Sequence, residues 1–260
     1  EPYIAYQRAR ARGGAGLIII QVVGVHPTAR YTNDLMTGTS DDCIPHFRRL
    51  VDAVHEHGTK VFVQLFHPGR EVLGRPEGVA QAAYAPSLSP SERFRTVPRA
   101  LTAAEVADIV DGYASTARRM AEAGADGVEI VASHGYLPAQ FMNPAVNRRD
   151  DQYGGSFDNR LRFTREVAAA TRNAVPTDFI VGLRFSSDER DQQGIGEDDS
   201  LAIARGLKDD FDYFNVIAGT SFAAGGATHI VPSMQTPTGY LAPYAARLKQ
   251  SLGKPVLVAG

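Results

Sequence analysis

Three apolar runs in this 260-residue chain carry or end in polar groups that could do chemistry. Val61-Phe62-Val63-Gln64-Leu65-Phe66 holds one amide, Gln64, whose donor and acceptor both need partners, and breaks into His67-Pro68-Gly69-Arg70. Val128-Glu129-Ile130-Val131 opens into Ala132-Ser133-His134-Gly135-Tyr136, an imidazole and a phenol two residues apart. Ile180-Val181-Gly182-Leu183-Arg184-Phe185-Ser186 sets a guanidinium inside an apolar run, where it is costly unless it meets an anion or an electron-rich acceptor. Each residue also has a plainer reading. Gln64 could bond neighbouring backbone, Arg184 could bridge to Glu129 or Asp188, and His134 and Tyr136 could be a satisfied loop histidine and a packing aromatic. By themselves the four do not name a reaction.

The runs that carry these groups belong to a regular series. Strand candidates are Gly16–Val23, Val61–Phe66, Gly127–Val131, Phe179–Phe185, Asp212–Ile217 and Pro255–Ala259. They are continuous apolar runs, as parallel strands covered on both faces should be. Helical patterns fill the intervals at Asp42–His57, Thr102–Ala123, Phe157–Val175, Asp198–Lys208 and Pro243–Leu252, and the first residues, Glu1 to Tyr6, also read as helix. Thr102 with Glu105 forms a capping box, Gly58 and Gly124 sit where a left-handed residue ends a helix, and Ser156 with Asp158 starts one. Alternation of β and α predicts a parallel sheet with right-handed crossovers. No Gly-x-Gly-x-x-Gly turn follows any strand, which argues against a doubly wound nucleotide fold. The expectation is a TIM-type (β/α)₈ barrel, incomplete as given, with strands two to seven present and residues 1–260 forming one domain. In such a barrel, function collects at the C-terminal ends of the strands. The longest irregular stretch, Pro68 to Ala100, follows such an end and reads as a substrate loop or lid.

Composition narrows the class. Apolar residues make up 43 %, enough for a sizeable core, and the net charge of −2 offers no basic excess for nucleic acid or an anionic membrane. No apolar run approaches bilayer length, and no signal peptide is visible. Cys43 is the sole cysteine, which excludes an internal disulfide and suits a reducing, cytoplasmic setting. His55 and His57 lie at the end of one helix with no converging ligand set, so no metal site is expected.

From Ala123 to Met142 the chain reads Ala-Gly-Ala-Asp-Gly-Val-Glu-Ile-Val-Ala-Ser-His-Gly-Tyr-Leu-Pro-Ala-Gln-Phe-Met, followed by Asn143-Pro144, Asn147-Arg148-Arg149-Asp150, Tyr153-Gly154-Gly155-Ser156 and Asn159-Arg160. With Arg12-Gly13-Gly14-Ala15-Gly16-Leu17-Ile18, Gln64 to Arg70 and Val181 to Arg184 in the same order, nearly the whole chain resembles the Old Yellow Enzyme family of FMN-dependent oxidoreductases. Its larger members include 2,4-dienoyl-CoA reductase and trimethylamine dehydrogenase. The resemblance implies that Gln64 bonds the pyrimidine edge of FMN. It sets Arg184 beside flavin N1 and O2, where a fixed cation stabilises the reduced anion. Tyr136 would give a proton to one carbon of an activated C=C while the flavin gives hydride to the other, and His134 would hold the substrate's polar group. NAD(P)H would reduce the flavin. The resemblance puts the phosphate-binding segment after the strand that ends at Gly260, and Gly260 itself is counted among the cofactor-binding residues. A four-cysteine iron–sulfur site and an FAD-type nucleotide domain are expected only beyond Gly260. Asn147, Arg148, Arg149, Asp150 and Tyr153 read as a polar network fixing the loop above the barrel. A small-molecule substrate is the expected partner, and a homo-oligomer is compatible with the resemblance.

Two departures bear on the substrate. Val131 stands where the family carries the first member of a two-donor pair with His134, so one hydrogen bond to a substrate oxygen is lost. That favours the larger-member branch. The amine dehydrogenases use an acid later in the barrel, and the matching region, Gly219-Thr220, has none, so amine oxidation is the alternative to C=C reduction. A non-catalytic flavin-binding barrel is the remaining reading.

Overall fold

In the computed structural model the described residues are 1–32, 34–73 and 82–258, so the expectations for Gly260 and for the final strand residue Ala259 fall outside them. The chain runs α1 (Pro2–Arg12), β1 (Leu17–Gly24), β2 (Met36–Thr37), α2 (Ile44–His55), β3 (Lys60–Phe66), β4 (Tyr84–Ala85), β5 (Arg99–Ala100) and α3 (Ala103–Glu122). It continues through β6 (Gly127–Ala132), α4 (Leu137–Met142), α5 (Phe157–Ala174), β7 (Ile180–Ser186), α6 (Glu197–Gly206), β8 (Tyr213–Ile217), α7 (Ala224–Ala227), α8 (Ala242–Leu252) and β9 (Val256–Val258).

One parallel sheet runs β2-β1-β3-β6-β7-β8-β9, and β4 pairs with β5 in a separate ribbon. The six expected strands are all present. The count of six needs correcting, because β2 adds a seventh, pairing Met36 with Val23 and Thr37 with Gly24 at the outer edge of β1. Two residues carry no periodicity, so nothing in the sequence marked it. Every residue of β6 and β8 is buried, as continuous apolar runs require when helices cover one face and the lumen fills the other. The architecture is an incomplete (β/α)₈ barrel, with β2 and β9 as unjoined edges among the described residues.

Local chemistry ends the helices as expected. Thr102 and Glu105 form both hydrogen bonds of the capping box, Ser156 Oγ accepts from Asn159 N at 3.2 Å, and Gly58 and Gly124 take φ of 74° and 93°. Helix α2 starts later than the pattern suggested, because Ser40 Oγ accepts from Asp42 N and winds Asp41–Cys43 into a 3₁₀ turn first. Helix α4 escaped the sequence reading because all six of its residues are buried, leaving no polar face to betray a period.

Strand β1 contains a bulge. Ile20 pairs with Val63 and Val23 with Leu65, so Gln21 and Val22 together lie opposite Gln64. Ile20 and Val23 both join the core, although three positions separate them. The two residues between them are more exposed, and Gln21 lines the lumen cavity beside Gln64.

Candidate active site

Register brings the lumen groups together. Gln64 on β3 lies level with Glu129 on β6, and Arg184 on β7 lies between Val131 on β6 and Asn215 on β8. Glu129 is fully buried and accepts from Gln64 Nε2 at 2.8 Å, Tyr213 Oη at 2.9 Å and Asn215 Nδ2 at 2.9 Å. Gly182, level with Tyr213, leaves the room that the tyrosine ring needs: a Cβ there would stand 2.1 Å from the ring. Below this layer Phe62 and Tyr213 stack with centroids 5.6 Å apart. Gln64 therefore bonds a side chain, not neighbouring backbone.

Neither expected partner of Arg184 is used. The Glu129 carboxylate is taken up by three neutral donors, and Asp188 pairs with Arg190 at 3.1 Å and accepts from Tyr244 Oη at 3.3 Å. Arg184 Nε is buried with no hydrogen-bond partner among the described residues. Gln64 and Arg184 both line a cavity of about 670 Å³ with Ile19 and Gln21 of β1 and Tyr3 and Tyr6 of α1. A guanidinium that lines such a cavity suits an anionic or electron-rich ligand. These residues fit the electron-rich edge of an FMN ring: Arg184 would hold its anionic side, and Gln64 its pyrimidine edge. Nothing in the sequence pointed to Tyr3 and Tyr6, which belong to a helix whose cavity-facing turn only the fold reveals.

At the C-terminal mouth, β6 is followed, after Ser133, by two consecutive left-handed residues, His134 with φ 62° and Gly135 with φ 74°. For a histidine this conformation is uncommon, and its neighbours hold it there. The His134 carbonyl accepts from Ser221 N at 2.9 Å and Ser221 Oγ at 2.6 Å. Its N–H donates to Ser186 Oγ at 3.4 Å, and Ser186 Oγ donates to Gly219 O at 2.7 Å. One residue thus ties together the loops after β6, β7 and β8. Burial, with the positive charge of Arg184 second, pushes the His134 imidazole down to about 3, so it is neutral at physiological pH. Ser133 Oγ lies 2.6 Å from Nδ1, and a hydroxyl donating there leaves the proton on Nε2.

Tyr136 follows at the start of α4. Its ring meets Phe66 edge-on at 4.6 Å, Tyr31 edge-on at 6.2 Å and His134 tilted at 5.4 Å. Burial first, then Tyr31 and Glu71, raises its phenol well above the usual value near 10, while Arg93 and Arg184 oppose the shift. The hydroxyl makes no hydrogen bond to another described residue and keeps its proton across the physiological range. Tyr31, which closes this aromatic wall, had no mark in the sequence beyond lying after β1.

Buried polar groups brace the loops above. Arg70, 3 % exposed, donates from Nε to Glu71 at 3.1 Å and from a terminal nitrogen to Ser89 Oγ at 2.7 Å. Glu71 and Glu189 are both pushed up to about 7, chiefly by burial. The Asn147 amide donates to the carbonyls of Phe141 and Tyr153, both at 2.7 Å, and Arg149 pairs with Asp151 and donates to Pro86 O at 2.9 Å. These bonds knit the segment into the wall of the mouth. Among the described residues no three acidic, histidine or cysteine groups converge as a metal site, and no helix is long and apolar enough to cross a membrane.

The parallel sheet with helices on its outer face and polar groups in its lumen defines an incomplete (β/α)₈ barrel. The profile of the NADH:flavin oxidoreductase / NADH oxidase family matches residues 2–260, and the chain belongs to that family. N,N-dimethylglycine/sarcosine dehydrogenase from Chromohalobacter salexigens is 35 % identical over 276 residues, covering 100 % of this chain and 38 % of the relative. A multifunctional alkene reductase/demethylase from Caballeronia cordobensis is 33 % identical over 269 residues, again covering 100 % of this chain and 38 % of its own. A solved 2-naphthoyl-CoA reductase complex matches in fold with a TM-score of 0.89, at 24 % identity over 98 % of this chain and 40 % of that one. The chain thus spans well under half the length of these relatives. The family resemblance read from the sequence and the barrel architecture both stand.

Proposed function

We propose that residues 1–260 are one FMN-binding barrel of an NAD(P)H-dependent oxidoreductase that reduces an activated C=C bond. FMN, when bound, supplies hydride transfer, taken from NAD(P)H and passed to a substrate carbon. Gln64 and Arg184 bind and orient it through the amide and the orphaned guanidinium. His134, neutral and protonated at Nε2, donates a hydrogen bond to the substrate's carbonyl or similar group. Tyr136 gives a proton to the second carbon of the double bond. Val131 supplies no second donor, so polarisation of the substrate rests on His134. Phosphate binding at Gly260, and any iron–sulfur or FAD group beyond it, belong to the same proposal.

The observation that carries this reading is Tyr136: a phenol held against Phe66 and Tyr31, protonated at all physiological pH, beside a neutral histidine. Reduction of C=C needs such a donor. A second reading, oxidation of an N-methyl amine, takes its support from the dehydrogenase and demethylase names among the relatives. It needs a group to accept a proton, and Thr220 occupies the region where that acid is expected, its hydroxyl buried without a partner among the described residues. Stopped-flow measurements on the full-length Tyr136→Phe variant separate the two. Reoxidation of reduced flavin by an enone should slow by about 10²–10⁴-fold, while reduction by NAD(P)H stays near wild type. Equal reoxidation rates in variant and wild type would remove Tyr136 from the chemistry and favour the amine reading.

A further inference from the structure

The lumen holds a carboxylate that the proposed reaction does not use. Glu129 is fully buried and has no cationic partner among the described residues. Its two oxygens are divided. Oε2 accepts from both Tyr213 and Asn215, and Oε1 accepts from Gln64 alone. A carboxylate flanked by three donors can only accept, so the Gln64 group that faces it must be the NH₂. The Gln64 carbonyl oxygen is then left with no hydrogen bond to a described residue, on the wall of the cavity shared with Arg184. Gly182 is part of this arrangement, because only a residue without Cβ lets the Tyr213 ring reach across to Glu129.

We infer that Glu129 is a positioning residue: it locks the Gln64 amide with its oxygen toward the lumen, so that this wall accepts from an N–H at the cofactor's pyrimidine edge and rejects an acceptor there. The inference rests on the FMN reading. With Gln64 alone, either end of the amide could face the ligand. The carboxylate removes that choice, and Asn215, which donates to its other oxygen, is enough to keep it from turning away.

The test follows the ionisation of the N3–H of bound oxidised FMN, read from the flavin spectrum of the full-length protein titrated with alkali. An acceptor facing N3–H holds the proton on, and a donor facing it favours the anion. In Glu129→Gln the introduced amide can still accept from Tyr213 and Asn215 through its oxygen while donating to the Gln64 oxygen, which turns the Gln64 NH₂ to the lumen. The expected result is an N3 ionisation at least about one pH unit below wild type. The FMN dissociation constant should rise about 10- to 100-fold. The exchange variant Gln64→Glu/Glu129→Gln reverses the hydrogen bond but restores an acceptor at position 64, and should return the ionisation to the wild-type value or above. Tyr213→Phe removes a donor from the same carboxylate without touching Gln64, and should lower the melting temperature while leaving the ionisation in place. An unmoved ionisation in FMN-loaded Glu129→Gln, or an equal shift in Tyr213→Phe, overturns the inference. If Glu129→Gln does not fold, the exchange variant decides, and an ionisation below wild type counts against it. Wild-type protein that binds no FMN would instead overturn the reading beneath it.

Discussion

Replacing Arg184 with methionine separates two origins for a cation inside a strand. Methionine keeps most of the aliphatic volume, so the packing loss is small. A structural ion pair would leave a buried carboxylate stranded and cost about 3–5 kcal/mol, but Glu129 and Asp188 both have other partners. We therefore expect the full-length Arg184→Met protein to melt near wild type, to bind FMN more weakly and to show a flavin reduction potential lowered by tens of millivolts, about 1–3 kcal/mol. Potentiometry and thermal melts check this, and an unchanged potential with a collapsed melting temperature would remove Arg184 from the flavin site. At this scale the sequence was readable where a polar type interrupts an apolar run at a strand end, which exposes Gln64 and Arg184, and where His134 and Tyr136 follow one. Glu129 interrupts a run in the same way, but its partners Tyr213 and Asn215 lie more than eighty residues on. Sheet order and register create that hub, and neither is written locally.

Between elements, the fit of β7 to β8 depends on Gly182. A methyl group there meets the Tyr213 ring, so Gly182→Ala should cost about 1–3 kcal/mol by overpacking and displace the tyrosine from Glu129. Chemical denaturation of wild type and variant measures the loss. The loop after β7 makes a pH prediction. Glu189 Oε2 accepts from Ile195 N at 2.8 Å and Asn143 Nδ2 at 3.4 Å, yet burial lifts its folded-state value from the usual 4.5 to about 7. The folded chain then holds a proton that the unfolded chain releases between pH 4.5 and 7. Its contribution to stability is fully present below about 4.5 and is lost as pH rises through about 7. Glu189→Gln keeps an acceptor for both donors, and should flatten the fall in melting temperature across this window and stabilise the protein at pH 8 by on the order of 2 kcal/mol. Melts at pH 5 and pH 8 test it, and a slope matching wild type would show that Glu189 does not titrate there. Strands and long helices were legible from periodicity and caps, whereas β2 and α4 were not, one being too short for a pattern and the other buried on every side.

At the scale of the molecule, the sheet has two unjoined edges among the described residues, β2 and β9. On the proposed reading, which puts phosphate binding at and beyond Gly260, we expect the full-length protein to retain FMN through purification and residues 1–260 expressed alone to bind it at least about 100-fold more weakly. Flavin fluorescence titration of both proteins decides the matter, and equal affinities would show the isolated barrel to be self-sufficient. The bulge in β1 has a consequence for how such a chain can change length over evolution. Side chains along a strand alternate with a period of two, so losing one residue ordinarily turns every later side chain inside out. At Gln21–Val22 the strand already carries one residue too many against β3. Deleting Val22 would leave Gln21 opposite Gln64 and keep Val23 paired with Leu65, with the same side chains in the core. Deleting Ile19 would instead carry a core-facing residue into the lumen. This strand therefore has a point of tolerance for a one-residue deletion, and it lies at the wall of the site.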